Sequence, residues 1–170
     1  MEEKEVLKSL IERRRSRFPK DYSGAEVASE VLAAVLASAE FAPNHKRTKP
    51  WRFRVFQGEE KNRFGHRVAQ VYKATTGAEQ FMVKKYDAIV QKWERSGAVL
   101  TVVVNFSGMV PEWEEVAAVA MAVQNMYLTC EAHGIGCYWA TPGGKDHLAE
   151  DLGLEANQKC LGFFFMGPLV

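Results

Sequence analysis

The sequence predicts an α+β fold in which helices sandwich a sheet, and three observations carry that expectation. Helical and extended patterns follow one another as α-α-β-α-α-β-α-β-α-β, so helices outnumber strands. The run Val99-Leu100-Thr101-Val102-Val103-Val104 has little polar character, as a strand has when both its faces are covered. The long helical stretch Trp113–His133 is hydrophobic enough to be buried along much of its length. Several helices are also expected to serve a subunit interface.

The elements follow in order. Residues 3–15 place Val6, Leu7, Leu10 and Ile11 on one helical stripe, and Pro19 biases Phe18 out of the helical region, so this helix ends before it. Ser23 followed by Glu26 has the spacing of a capping box, opening a helix to about Glu40 with Val27, Val31, Val35 and Ala39 on one face. A polar loop with a proline near each end, Ala42–Pro50, leads to an alternating, aromatic strand from Trp51 to Phe56. Helices are expected over Glu59–Tyr72 and Glu79–Arg95, separated by Thr75-Thr76-Gly77. After the strand Val99–Val104 comes the helix Trp113–His133, with Val116, Val119, Ala120, Val123 and Tyr127 inward and Gly134 ending it. Gly136–Ala140 is a short strand, Thr141-Pro142-Gly143-Gly144 a turn, Lys145–Leu152 a short helix and Cys160–Met166 the last strand.

Composition narrows the function. With 170 residues, 47% hydrophobic and 25% charged, the chain has the balance of one ordinary globular domain and enough apolar surface to fold. Lys and Arg number 22 against 21 Asp and Glu, so no global field draws the protein to nucleic acid or anionic lipid. No apolar run approaches the roughly 20 residues of a membrane helix, and the acidic start is unlike a signal peptide. Cys130, Cys137 and Cys160 are odd in number and lack metal-ligand spacing, which points to a reducing, cytoplasmic setting, with Cys130 and Cys137 as small apolar packing. No dinucleotide fingerprint, P-loop, nucleophile elbow or His-Glu-x-x-His motif is present, and His66, His133 and His147 are scattered.

Three segments carry possible chemistry. The run Arg13-Arg14-Arg15-Ser16-Arg17 offers guanidinium forks and a hydroxyl to a phosphate. By residue type alone the same run better suits a solvated helix C-terminus, where positive charge meets the dipole, and least well a nucleic-acid contact. The loop Asn44-His45-Lys46-Arg47-Thr48-Lys49 fits either a ligand wall or an exposed turn. No residue pairs with His45 as a catalytic dyad, so no general-base role is assigned to it. In Trp139-Ala140-Thr141-Pro142-Gly143-Gly144, backbone N–H groups beside glycines suit a flat heteroaromatic ring, or simply a strand-to-helix turn.

Together these pieces resemble the nitroreductase family of FMN-dependent oxidoreductases, in particular its small single-domain NAD(P)H nitroreductase subgroup. The resemblance lies in Arg14-Arg15-Ser16, in Ala42–Phe53 with its Ala-Pro and Pro-Trp-x-Phe landmarks, in Ala122–Leu128 followed by Gly134–Trp139, and in Gly162–Gly167. It covers Ile11 to Gly167. It implies a helix–sheet–helix sandwich with a mainly antiparallel central sheet, and a homodimer with a helical interface and two FMN sites. It implies that Arg14, Arg15 and Ser16 hold the phosphate and ribityl end, and that Phe41, His45 and, in the same loop, Thr48 reach the flavin from the partner. Trp139, Ala140 and Thr141 would run along the isoalloxazine ring, with Pro142 and Gly143 extending that wall. At Ala140 only backbone contacts carry over, because the family often has a polar side chain there. The family usually continues past its last core strand into a tail that crosses to the partner. This chain stops at Gly167-Pro168-Leu169-Val170, so one domain over residues 1–170 without that extension is expected. The implied activity is hydride transfer from NADH or NADPH through flavin N5, by a ping-pong route, to a nitroaromatic, quinone or similar flat acceptor. A flavin-binding carrier or sensor is the alternative. No membrane and no nucleic-acid partner is expected.

Overall fold

A computed structural model describes residues 2–170. Among these residues, five α-helices and a five-stranded antiparallel sheet build the fold. In chain order these are α1 (Glu3–Arg13), α2 (Ser29–Ala39), β1 (Trp51–Arg52), β2 (Val55–Phe56), α3 (Gly58–Thr75), α4 (Val83–Arg95), β3 (Ala98–Asn105), α5 (Glu112–Ala132), β4 (Ile135–Ala140) and β5 (Gln158–Pro168). The sheet runs β1-β3-β5-β4, with β2 also on β3, so β3 and β5 are interior and β4 is an edge.

Strand period divides the core in two. Ala98, Leu100, Val102, Val104, Phe164 and Met166 face α2 and α5, where they meet Leu32, Val35, Ala118, Val119, Ala122, Val123 and Met126. Val99, Phe163 and Phe165 face the opposite way, against Phe56 of β2 and Val68, Val71 and Trp93 of the α3–α4 layer. Both faces of β3 are therefore covered, which is why its sequence shows no alternation. A bulge in β5 shifts the register between Val102/Gly162 and Val103/Cys160. Gly162 has φ +129°, and a Cβ there would collide with the Ala140 carbonyl.

Several boundaries differ from the sequence expectation. Ser23 does not cap a helix: its Oγ accepts the Ala25 N–H at 3.3 Å, Gly24 turns the chain at φ +83°, and α2 starts only at Ser29. The strand expected from Trp51 to Phe56 is interrupted at Phe53–Arg54, because the Arg54 N–H donates to the Thr101 hydroxyl at 2.9 Å instead of to the ladder. Helix α3 runs on to Thr75, α4 begins at Val83 rather than Glu79, and the segment after Gly144 forms only a 3₁₀ turn, Lys145–Leu148. On α5 the fully buried side is Ala118, Val119, Ala122, Val123 and Met126, while Ala120 is exposed. The α1 stripe is not buried: Val6, Leu7 and Ile11 lie on the surface. Gly134, at φ +68°, ends α5 as expected.

One charge is buried within the α3–α4 layer. The Lys61 ammonium donates to the Glu94 carbonyl at 3.0 Å and to the Ser96 carbonyl, closing the C-terminal end of α4. Burial pulls its pKa below the usual lysine value.

Candidate functional site

The C-terminal half of α5 brings two distant segments together. Tyr127 projects between the end of α1 and the end of β4, and its phenol oxygen accepts the Trp139 N–H at 2.6 Å. The Arg14 guanidinium lies 5.2 Å from the centre of the Tyr127 ring, a cation–π distance, and Ser16 sits beside the phenol oxygen. Burial lifts the Tyr127 pKa above its ordinary value, so the phenol stays neutral. Arg14, Ser16 and Trp139 thus share one neighbour that the sequence reading placed only among the core contacts of the helix.

The two arginines are not equivalent. Among the described residues no carboxylate pairs with Arg14. Arg15 Nη1 donates to the Glu12 carbonyl at 2.6 Å and to the Arg14 carbonyl at 2.9 Å, so part of its donor set closes the end of α1. The neighbouring Arg13 pairs with Glu131 of α5 at 2.9 Å, which fixes α1 on that helix.

The edge position of β4 exposes a row of backbone groups beside this cluster. Alternate residues turn their backbone polar groups outward, away from β5. The Cys137 carbonyl accepts the Arg17 N–H at 3.0 Å, and the Trp139 N–H is taken by Tyr127. The next outward residue is Thr141, and among the described residues no acceptor takes its N–H. The Trp139 indole is fixed by its own bond to the Leu161 carbonyl at 3.2 Å.

Past this point the wall opens. Thr141, Pro142 and Gly143 form one side of a cleft of about 640 Å³, closed on the other sides by Val68, Tyr72 and Thr75 of α3 and Lys85, Ile89 and Lys92 of α4. A smaller apolar recess of about 180 Å³ adjoins it, lined by Ala140, Phe163, Phe165 and Tyr138. The Tyr138 hydroxyl is buried with no partner among the described residues, and burial pushes its pKa up to about 12. Cys137 is buried, and the neighbouring Cys130 thiol, together with desolvation, holds it protonated and unreactive. Among the described residues no group of three or more His, Cys, Asp or Glu is arranged to hold a metal ion, and no helix is long and apolar enough to cross a membrane.

Phe41, His45 and Thr48 lie elsewhere. His45 Nδ1 is 2.6 Å from Glu114 Oε2, in the first turn of α5. Glu114 and Tyr127 are thirteen residues apart on that helix, which at 1.5 Å per residue separates the two groups by about 20 Å. Phe41 is 84% exposed beside this loop. The loop is strained and tied down. Lys46, Arg47 and Lys49 have positive φ. Asn44 Oδ1 accepts the Lys49 N–H at 2.9 Å, Lys46 Nζ donates to the Met109 carbonyl at 3.0 Å, and Lys49 Nζ reaches Glu40 at 2.8 Å. Thr48 closes the 3₁₀ turn with its N–H on the His45 carbonyl.

One chain therefore gathers Arg14, Ser16, Trp139, Ala140, Thr141, Pro142 and Gly143 into one continuous region, and holds Phe41, His45 and Thr48 at the far end of α5. Tyr127, Lys85 and Lys92 were not singled out from sequence. Tyr127 had one signal, a phenol on an otherwise aliphatic helix face; the lysines had none, since their meeting with the 141–144 turn depends on packing alone.

Comparison with known proteins bears on the family and the fold. A family model described as "Nitroreductase family" matches residues 11–168. The Escherichia coli (strain K12) protein named "Putative NAD(P)H nitroreductase YdjA" is 28% identical over 168 residues, covering 96% of this chain and 87% of the relative. A nitroreductase-like family protein from Bacillus cereus superposes with a TM-score of 0.83 at 24% identity, over 96% of this chain and 86% of that one. The FMN-dependent nitroreductase NfnB from Mycobacterium smegmatis, solved in complex with NADPH, gives 0.79 at 17% identity, over 99% and 89%. On the breadth of the family match, from the end of α1 to the end of β5, this chain belongs to the nitroreductase family.

Proposed function

We propose that the protein is an FMN-dependent NAD(P)H oxidoreductase that reduces nitroaromatics, quinones or similar flat acceptors, and that two chains complete each flavin site. The observation that carries this reading is the Arg14–Tyr127–Trp139 assembly, which sets a guanidinium without a carboxylate partner at one end of an open strand edge. The residues fit FMN. Arg14 and Ser16 suit its phosphate and ribityl hydroxyls, and the unclaimed Thr141 N–H suits an electronegative atom on the ring edge. Bound FMN would supply two-electron hydride chemistry between NAD(P)H and the acceptor.

The protein's own part is to hold, orient and stabilise. Arg14 anchors the anionic end. Tyr127 ties that anchor to the strand that supports the ring, so the two move as a unit. The Thr141 N–H is placed to favour negative charge accumulating on the ring. Pro142 and Gly143 leave the cleft side open to a second flat molecule. A hydride relay of this kind requires no general acid–base pair, in keeping with the unassigned role of His45.

The separation along α5 supports the dimer. Groups about 20 Å apart on one rigid helix cannot grip one ring from both sides within a chain. Phe41 and His45 of the partner subunit would supply the second side. The surface carries apolar groups suited to such an interface: Val6, Leu7 and Ile11 of α1, Phe41, and Trp113 (70% exposed) and Met121 of α5. The test is a visible absorption spectrum of the purified protein before and after incubation with FMN, followed by NADH and NADPH oxidation with a quinone or nitroaromatic. A yellow protein that oxidises NAD(P)H only when an acceptor is present is expected. A protein that stays colourless with FMN contradicts the reading, and bound flavin without turnover assigns it to a carrier role.

A further inference from the structure

We propose that the cleft between α3, α4 and the 141–144 turn selects acceptors bearing a negative charge, that is, flat aromatic molecules carrying a carboxylate or a similar anionic group. The inference rests on the oxidoreductase reading above and names its substrate class. Lys85, Lys92 and His147 line the cleft, and among the described residues no Asp or Glu does. The chain as a whole has a net charge of only +1, so this one-sided lining is local.

The two lysines are available for a ligand. Among the described residues neither has a carboxylate within salt-bridge distance. Lys85 Nζ lies 4.7 Å from the centre of the Tyr72 ring, so the ammonium stays against an aromatic wall of the cleft. Lys92 also lines the adjoining apolar recess and a third hollow that includes Lys20 and Arg95. Arg95 itself is engaged by the carbonyls of Pro19, Lys20 and Tyr22. The acid next in sequence to His147 is Asp146, which is held in a 2.6 Å pair with Lys145.

A cleft lined by one sign of charge, with low-dielectric walls, concentrates the field inside it and enriches counter-charged molecules. The ring wall Thr141–Gly143 is part of the same cleft. An acceptor lying on a flavin there would keep its reducible group at the ring and its anionic group toward Lys85. The cofactor phosphate is provided for separately, by Arg14 and Ser16. For a nitro acceptor each turnover balances as one hydride from NAD(P)H plus one solvent proton, converting nitro to nitroso with release of water and NAD(P)⁺.

The experiment uses the FMN-loaded full chain at saturating NADPH with three acceptors of similar size: 4-nitrobenzoate, 4-nitrobenzamide and 4-nitrobenzylamine. Their kcat/KM values are expected to fall in that order, with a spread of about tenfold or more at low salt. The spread should shrink in high salt, where screening shortens the range of the field. Lys85→Gln should cut the benzoate-to-benzamide ratio several-fold. A parallel calorimetric measurement of 4-nitrobenzoate and 4-nitrobenzamide binding needs no turnover. If no acceptor is reduced but the benzoate still binds more tightly, the oxidoreductase reading fails and the charge selection stands. If all three acceptors are treated alike, or the benzoate advantage is untouched by Lys85→Gln, the inference is overturned. It is overturned equally if that variant raises only the KM for NADH or NADPH, since the cleft would then serve the reductant.

Discussion

The two ends of α5 differ in how much of the proposed site each chain finishes by itself. At the C-terminal end, Tyr127, Arg14, Ser16 and Trp139 are packed, partly buried and mutually bonded. At the N-terminal end, His45 and Phe41 stand on a strained loop with Phe41 in solvent and Trp113 uncovered beside it. The first end is held by intrachain geometry alone. The second keeps its shape through Asn44, Glu114 and Glu40, yet presents an apolar surface that no other described residue covers. On the proposed function the helix would act as a spacer: it would set a finished half-site and an exposed half-site far enough apart that a second copy would be needed to join them.

Substitutions at the two ends test this contrast. The largest effect is expected at the finished end. Arg14→Ala should weaken FMN binding roughly 10- to 100-fold, the range for losing charged hydrogen bonds, as read by fluorescence titration. Arg15→Ala should cost clearly less, because part of the Arg15 donor set serves the end of α1. Equal losses would mean that the two arginines contribute alike.

At the exposed end, Phe41→Ala combined with Trp113→Ala should move the protein from dimer to monomer in sedimentation and lower FMN affinity with it. The circular dichroism of each chain should be unchanged, since both side chains lie on its surface. Retention of the dimer would remove that face from the interface.

Tyr127→Phe sharpens the comparison further. Losing one buried hydrogen bond costs about 1 kcal/mol, so FMN affinity should drop by roughly fivefold. In the flavin-free protein the Trp139 amide should exchange with deuterium faster while amides in β3 keep their protection. Uniform acceleration across the sheet would mean that Tyr127 serves stability alone.

The smallest effect concerns the tether of the loop. Glu40 accepts bonds from Lys49 and the Trp51 indole, both at 2.8 Å, and these hold its carboxyl below the usual range. A depressed carboxylate stabilises the fold above its unfolded pKa and loses that contribution as pH falls through the folded value. Because the pair is exposed, Glu40→Gln should cost well under 1 kcal/mol at neutral pH. The difference from wild type in urea melts should shrink as pH falls below the ordinary carboxylate range and be absent once Glu40 is protonated in the folded protein. A difference that persists after that protonation would assign the effect to packing.

The sequence made β3, β5 and α5 legible because burial on both faces forces long apolar runs, and Gly134 marked the helix end through its left-handed backbone. It misled at Ser23–Glu26, where the right spacing for a cap accompanies a serine turn at Gly24. It also missed the break at Arg54, which depends on a hydroxyl from Thr101 forty-seven residues away. Arg14, Ser16 and the Trp139–Gly143 segment could be picked out as candidates by residue type and order. Their junction was not, since nothing local in the sequence says that Tyr127 reaches the end of β4. The positive lining of the cleft was hidden for the same reason: Lys85 and Lys92 look like ordinary surface charges until α4 is packed against the 141–144 turn.

The most direct test mixes two defective proteins. Arg14→Ala damages only the first half-site and His45→Ala only the second. Each variant alone should bind FMN poorly. After dissociation and reassociation at equal concentration, half the dimers are mixed, and each mixed dimer carries one intact site, so roughly a quarter of wild-type tight FMN binding should return. If the mixture binds no more FMN than the average of the two variants, Arg14 and His45 do not act on one flavin from two chains, and the spacer role of α5 is wrong.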